Sequence, residues 1–162
     1  MNTGSEALTA RLQFLVRVID KEAAHLSWTD AALFGAGNLT LQTVAALGAD
    51  EMLAERVDAF VARFGRLQDT LGDKLLPALL TALDGHSGPL IDNLNRVARL
   101  GLLEDATSWL RWRRPRNQMV HDDVEDPAVL ADALNDAHAA VPALVGVARR
   151  WADELRRRGW AS

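Results

Sequence analysis

The stretch LAERVDAFVARFGRLQDTL, residues 53–71, decides the fold class of this chain. Its large apolar side chains recur at alternating steps of four and three residues, at Leu53, Val57, Phe60, Phe64, Leu67 and Leu71. This spacing places all of them along one side of an α-helix. Such a seam is typical of a helix that packs almost parallel to its neighbours, as helices do in bundles.

Helical periodicity extends over most of the chain. Apolar residues at helical spacing mark a first helix through residues 8–26 and a last helix through residues 130–155. The pair Asp126-Pro127 predicts where the last helix begins, because aspartate caps helices and proline fits the first helical position. No segment of the sequence alternates in the manner of a strand. We therefore predict an all-α protein, an up-and-down helical bundle of about five to six helices, with residues 1–162 forming a single domain.

Glycine and proline are expected to disturb these helices at four positions. Gly72 and Pro77 predict an interruption or kink where the seam helix continues. Pro115 predicts that its helix bends or restarts, and Pro142 predicts a kink in the last helix.

The composition excludes several classes of function. The chain has 162 residues, 49% of them apolar, which suits one domain with a core. It contains no cysteine, so disulfides, thiolate catalysis and cysteine-ligated zinc are excluded. No apolar run reaches the roughly eighteen residues that a membrane span needs, and the N-terminus lacks the pattern of a secretory signal. We expect a cytoplasmic protein that does not bind a membrane.

Charge is distributed unevenly along the chain. The formal net charge is −4, so the surface as a whole does not attract nucleic acid. An acidic run separates two basic clusters. The first cluster is Arg111, Arg113, Arg114 and Arg116, the acidic run is Asp122, Asp123, Glu125 and Asp126, and the second cluster is Arg156, Arg157 and Arg158. The first cluster either binds phosphates or is a solvated helix face paired with the acidic run. The second lies at a helix end, where cations complement the helix dipole, and this interpretation is favoured over RNA binding.

The first basic cluster leads into the motif Arg116-Asn117-x-x-x-His121, within WRRPRNQMVHDD at residues 112–123. In a helix, Asn117 and His121 share a face, and the long side chain of Arg116 reaches the same space. Histidine moves protons near neutral pH, and arginine stabilises charge that develops on phosphate oxygens. RNA cleavage needs both, because a ribose 2′-hydroxyl is deprotonated and a pentavalent phosphorane forms. This chemistry requires no metal and no cofactor.

Residues 90–151 resemble the HEPN superfamily of helical ribonucleases. The resemblance is carried by LIDNLNRVARLGLLEDATSWL (residues 90–110) and by the motif, and it is strongest to toxins encoded beside minimal nucleotidyltransferase antitoxins. RFGRLQDTLGDKLLPALL (residues 63–80) is similar to the earlier helices of that group. The resemblance implies metal-independent RNA cleavage by Arg116, Asn117 and His121 in a cleft between two protomers. It also implies an antitoxin partner, and it favours Arg113, beside Arg111 and Arg114, as an RNA contact.

One position departs from that family. The toxins commonly carry a tyrosine two residues after the histidine, and the antitoxin inactivates some of them by adenylylating it. Here the position is Asp123, and the chain contains no tyrosine, so modification of a tyrosine there is impossible. We expect Asp123 to have a regulatory role, in which it orients His121, binds the antitoxin or caps the following turn.

Two alternatives remain beside the ribonuclease hypothesis. The chain is either a non-catalytic helical partner of a nucleotidyltransferase or an unrelated helical interaction module. The intact motif favours the ribonuclease, whereas Asp123 and the negative net charge favour the non-catalytic partner. Trp109 and Trp112 either stack on bases or pack in the bundle, and packing is favoured. A divalent metal held by His121 and its acidic neighbours is disfavoured because Asp126 already serves as a helix cap.

Overall fold

The computed structural model describes residues 3–120 and 125–162, the side chain of Val120 excepted. Its α-helices are α1 (Thr3–Phe34), α2 (Leu41–Ala45), α3 (Glu51–Asp69), α4 (Leu76–Asp84), α5 (Leu90–Arg99), α6 (Ala106–Val120) and α7 (Pro127–Arg157). A 3₁₀ turn (Leu47–Ala49) precedes α3, and a π-helical turn (Thr70–Leu75) joins α3 to α4 without a break. The described residues contain no strand, so the predicted all-α class is confirmed. The predicted helix count also holds, because α3, the π turn and α4 form one continuous helical segment.

Helices α1 and α3 run antiparallel. At one end of the pair, the rings of Phe34 and Phe60 meet edge to face with centroids 5.1 Å apart. Towards the other end, the hydroxyl of Thr70 donates a hydrogen bond of 3.1 Å to Oε1 of Glu22. Residue numbers along α1 therefore decrease in the direction in which those of the α3 segment increase, as expected for antiparallel helices.

Contacts along the helices also show that α6 and α7 belong to an up-and-down bundle. Helix α7 is antiparallel to α1, because Asp30 contacts His138 near the end of α1 and Asp20 contacts Arg156 further back, each at 2.6 Å. Helix α6 is antiparallel to the α3 segment, because Trp109 lies against Gly72 and Arg116 lies against Gly65. Four long helical segments thus alternate in direction around one core, as in a four-helix bundle.

The seam predicted for residues 53–71 faces this core. Leu53 is half-buried, and the other five members are buried: Val57, Phe60, Phe64, Leu67 and Leu71. The last helix begins as predicted, with Asp126 accepting a hydrogen bond of 2.9 Å from the backbone N–H of Ala128 and Pro127 in the first turn.

The expected helix breaks are accommodated within continuous helices. The helical segment does not stop at Gly72 and Pro77. It passes through the π turn instead, where the N–H of Leu76 donates to the carbonyl of Leu71. Helix α6 runs through Pro115 to Val120, so of the two predicted alternatives the restart is wrong, and the bend stays a prediction. Packing explains this result, because Pro115 is buried against the bundle and a missing N–H costs less than separating the helix from its core. Helix α7 likewise continues through Pro142.

No helix among the described residues combines the length and apolar character that crossing a bilayer requires.

Candidate functional site

The predicted site residues belong to α6 and to the chain that follows it. Arg111, Arg113, Arg114, Arg116 and Asn117 all lie on α6. His121 and Asp123, predicted as the proton-transfer residue and the regulatory residue, lie outside the described residues, as does Asp122.

Helix α6 has a buried side that anchors it to the bundle. Trp109 is 1% exposed, and its ring lies nearly parallel to that of Trp151 with centroids 6.1 Å apart. Trp112 is half-buried, with its ring centroid 6.0 Å from that of Trp109. Met119 completes the buried side one turn beyond Arg116. The prediction that Trp109 and Trp112 pack in the bundle is therefore confirmed.

The polar residues of α6 divide between two directions. Arg116 points towards α3 and is partly buried, with 24% of its side chain exposed. Asn117, one residue later and 100° around the helix, is exposed, as are Arg111 and Arg114, while Arg113 is half-buried. The structure therefore places Arg116 and Asn117 on adjoining faces of α6, and no hydrogen bond joins them.

Arg116 is held by a carboxylate from α3. Its Nη2 donates to Oδ2 of Asp69 at 2.7 Å, and the guanidinium lies over Gly65, where an added Cβ would come within 3.4 Å of Nε. The buried Nε makes no hydrogen bond to any described residue. Arginine carries five donor hydrogens, so Asp69 fixes the direction of the guanidinium and leaves further donors for an anion.

Arg116 forms part of the wall of an open groove of about 890 Å³ between α3 and α6. Apolar side chains line much of it, including Leu47, Val57, Val61, Met119 and Leu130. Of the described residues, three cations and two carboxylates also line it, namely Arg66, Lys74, Arg116, Asp58 and Asp69. This described part of the groove offers an apolar surface next to a cluster that carries a small excess of positive charge.

A further carboxylate lies behind this cluster. Burial raises the pKa of Glu22 above its usual value of 4.5, although the hydrogen bond from Thr70 and the charges of Arg66 and Lys74 oppose the rise. Its Oε2 is buried and has no hydrogen-bond partner among the described residues. Glu22 thus places a carboxyl group with a raised pKa between α1 and the π turn.

The second basic cluster is already engaged in ion pairs. Arg156 bonds Asp20 at 2.6 Å, while Arg157 and Arg158 both bond Glu154, at 2.6 and 2.7 Å. Hydrogen bonds from Arg157 and Arg158 lower the pKa of Glu154 to about 2. This pairing supports the prediction of a structural helix end over an RNA contact.

Metal ligands do not cluster in the part of the chain that the structure describes, where no three His, Asp or Glu side chains are placed to hold one ion. The candidate metal set of the sequence included His121 and Asp122, which lie outside that part.

Sequence reasoning missed the α3 side of the site. Asp69, Gly65 and Arg66 come more than forty residues before Arg116, and the contact of 2.7 Å depends on how α3 and α6 pack. One feature of the sequence could have identified these residues, namely that they lie along one flank of the buried seam. Asp69 follows Gly65 by one helical turn, so both face the same neighbour.

No protein-family model, no curated protein and no solved structure matches this chain.

Proposed function

We propose that this protein is a metal-independent endoribonuclease toxin of the HEPN type, cytoplasmic and dimeric, with a nucleotidyltransferase antitoxin as its partner. One observation carries the proposal. The arginine of the Arg-Asn-x-x-x-His motif lies on the wall of an open groove, and its hydrogen bond to Asp69 orients the guanidinium while using only one of its five donor hydrogens. An oriented cation with spare donors is what charge development on a phosphate requires.

The proposed reaction is transfer of a phosphoryl group within the RNA strand. His121 accepts the proton of a ribose 2′-hydroxyl, and the 2′-oxygen attacks the adjacent phosphorus. Arg116 stabilises the negative charge of the phosphorane. The bond to the 5′-oxygen breaks, that oxygen takes a proton from water, and His121 releases the proton that it accepted to the solvent. The products are a 2′,3′-cyclic phosphate and a 5′-hydroxyl. Asn117 positions His121 or the scissile phosphate, and Arg113, Arg114 and Arg111 bind flanking phosphates.

The first test compares the wild type with His121→Ala on total RNA in EDTA. We expect the wild type to cleave and the variant to lose about 10²–10⁴-fold in rate, because it lacks the proton-transfer group. Arg116→Lys should also lose most activity, since an ammonium cannot reproduce the forked contact. Arg114→Ala should weaken binding only and make its salt dependence shallower. Equal cleavage by wild type and His121→Ala would show that the motif is not the catalytic site.

Asp69 provides a second test, directed at positioning. The side chains of Asp69 and Arg116 are 39% and 24% exposed, and an ion pair this exposed contributes at most about 1 kcal/mol to the stability of the fold. Its main effect is therefore to orient the guanidinium of Arg116. Asp69→Asn should therefore leave the melting temperature nearly unchanged while reducing kcat about tenfold, with little change in KM. Asp58→Asn is the matched control, because Asp58 lines the same groove and makes no ion pair with Arg116. Equal losses in both variants would indicate a general charge effect instead.

The non-catalytic partner is the second candidate function. It is favoured by the pairing of Arg116 with Asp69, which already neutralises much of the motif's positive charge. If purified wild type leaves RNA intact under all conditions but copurifies with a coexpressed nucleotidyltransferase from the neighbouring gene, this function replaces the first.

Neutralisation by the antitoxin has a direct readout. Because the chain contains no tyrosine, we expect the antitoxin to act by binding, or by modifying a serine or threonine elsewhere. Intact-mass spectrometry after coexpression should therefore give the unmodified mass if binding alone suffices. An added adenylate mass would exclude binding as the sole mechanism, and its mapped position would identify the acceptor.

A further inference from the structure

Two large apolar side chains are unusually exposed on the side of α3 opposite the Arg116 groove. Trp28 on α1 is 70% exposed and Met52 on α3 is 69% exposed. The inward face of α1 at this level is formed by Leu26, Thr29 and Leu33, so Trp28 is not required by the core. Tryptophan combines a large planar apolar ring with one polar N–H, which suits it to interfaces.

Trp28 borders a shallow depression of about 230 Å³ between α1 and α3. Ala32 and Ala59 line it and leave room beside the indole. In the described part of the chain, no aromatic ring and no guanidinium stacks on Trp28. The ring therefore presents a surface on which a planar group can stack.

Among the described residues, the rim of this depression carries two arginines and one glutamate, Glu55, and so has a small excess of positive charge. Arg56 and Arg63 line it, and Arg63 is fixed by donating to the hydroxyl of Thr29 and to the carbonyl of His25. Among the described residues, no carboxylate lies within ion-pair distance of Arg56 or Arg63. The arginines at the end of α7, by contrast, are all paired. The two rim guanidinium groups are thus available to an anionic ligand.

The depression and the Arg116 groove lie on different flanks of α3 and are bordered by neighbouring arginines. Arg63 lines both the depression and a hollow of about 10 Å³ beside Glu22 and His25, and Arg66 lines both that hollow and the Arg116 groove. Thirteen residues of helix, about 20 Å along its axis, separate Arg56 from Asp69, which is roughly the length of six nucleotides of a stacked strand. Among the described residues, five cationic side chains and four carboxylates line the three hollows, whereas the whole chain has a net charge of −4.

We propose that Trp28, flanked by Arg56 and Arg63, is a stacking platform for a nucleobase of the same single-stranded RNA whose scissile phosphate lies at Arg116. The inference rests on the proposed ribonuclease function. Single-stranded RNA is bound by cations that follow its backbone and by aromatic rings that stack on its bases, and this surface supplies both. A protein partner would also use tryptophan and methionine, but the two rim arginines, which have no carboxylate within ion-pair distance among the described residues, favour the polyanion.

The experiment uses His121→Ala as background, so that the RNA stays intact. Affinity for a fluorescein-labelled single-stranded twelve-nucleotide RNA is measured by anisotropy for that chain and for the same chain carrying Trp28→Ala, Trp28→Phe or Phe14→Ala. Phe14 is the matched control, because it is another aromatic residue on α1, is 48% exposed and has Arg11 beside its ring. We expect Trp28→Ala to weaken binding about tenfold, Trp28→Phe to weaken it less, and Phe14→Ala to leave it unchanged.

Salt dependence tests the cationic rim. Arg56→Ala should reduce the slope of log Kd against log salt by about 0.7, the value for one phosphate contact with a single strand. Arg17→Ala is the control, since Arg17 is an exposed arginine on α1 away from the depression. An equal slope in both variants would overturn the proposed rim contacts.

The remaining outcomes separate this inference from the proposed function. If the wild type cleaves RNA while Trp28→Ala binds as tightly as its parent, the platform is wrong and the ribonuclease stands. If Trp28→Ala lowers the molar mass in light scattering and RNA affinity falls only with it, the face is a protein interface and the platform is wrong. If the wild type neither binds nor cleaves RNA, both proposals fail.

Discussion

Gln68 is a buried polar residue whose side-chain amide has no hydrogen-bond partner among the described residues. It is 1% exposed, and neither Oε1 nor Nε2 makes a hydrogen bond to a described residue. A buried amide without partners loses its hydration without compensation. Replacement by an apolar side chain of similar length should therefore raise the free energy of unfolding.

The corresponding prediction compares two glutamine variants. Gln68→Met should stabilise the protein by about 1–2 kcal/mol, because it removes the desolvation cost and preserves the volume. Gln13→Met on α1, where the side chain is only half-buried, should change stability by less than about 0.5 kcal/mol. Urea unfolding of both variants measures this, and a loss of stability in Gln68→Met would mean that the amide is paired in solution.

Glu22 gives the fold a pH dependence whose sign follows from its environment. Because burial raises its pKa above 4.5, the folded chain holds this proton more tightly than the unfolded chain. The contribution of Glu22 to stability is therefore present below pH 4.5 and is lost as the pH rises through its folded pKa. Glu22→Gln keeps an acceptor for the Thr70 hydroxyl and removes the charge. The stability of this variant should therefore fall less between pH 4.5 and 7 than that of the wild type. Urea unfolding at both pH values tests this, with the exposed Glu104→Gln as control; an unchanged pH dependence in Glu22→Gln would contradict it.

At the scale of the helix, local signals predicted the seam and the start of α7 but not the π turn. The seam and the Asp126-Pro127 cap are encoded by neighbouring residues, which sequence periodicity detects directly. Within the π turn, Gly72 is approached by a side chain from a distant helix. A Cβ at Gly72 would come within 2.8 Å of Cζ2 of Trp109, so α6 sits in the space that a side chain would fill. The same lack of tertiary information explains why the sequence around Pro115 left a restarted helix open beside a bent one, although α6 is continuous there.

This contact gives a pair of glycine substitutions with opposite effects. Gly72→Ala should destabilise the protein by about 1–3 kcal/mol, because Trp109 has to move within a packed core. Gly146→Ala should stabilise it by about 0.5–1 kcal/mol, since Gly146 lies within α7 and a Cβ there meets nothing within 4 Å. Thermal unfolding measures both, and similar shifts in the two variants would rule out the steric explanation for Gly72.

At the scale of the whole molecule, the sequence predicted one side of the candidate site and missed the other. The motif identified Arg116 on α6, but its orienting partner Asp69 and the groove arise from antiparallel packing with α3. Nothing in the local sequence around either residue encodes that pairing. The direction of Arg116 towards α3 has the same origin, because the burial of Trp109 and Met119 sets the rotation of α6 in the bundle. Asn117 then lies on the adjoining face, because consecutive residues of a helix are 100° apart.

The exposed face of α6 leads to the last prediction, which concerns assembly. Leu110 lies seven residues, about two turns, before Asn117 on the same face, and it is 47% exposed. If two copies meet across this face, as the resemblance to HEPN toxins implies, Leu110 is buried in the dimer. Leu110→Glu should then give a monomer with an unchanged helical circular dichroism spectrum and should abolish RNA cleavage, because a charge at an apolar interface is costly. Leu100→Glu is the control, since Leu100 is 50% exposed but lies at the end of α5, away from this face. The Leu100→Glu variant should remain a dimer. Light scattering at micromolar concentration decides the outcome, and a wild-type monomer would contradict the proposed assembly even if RNA is cleaved.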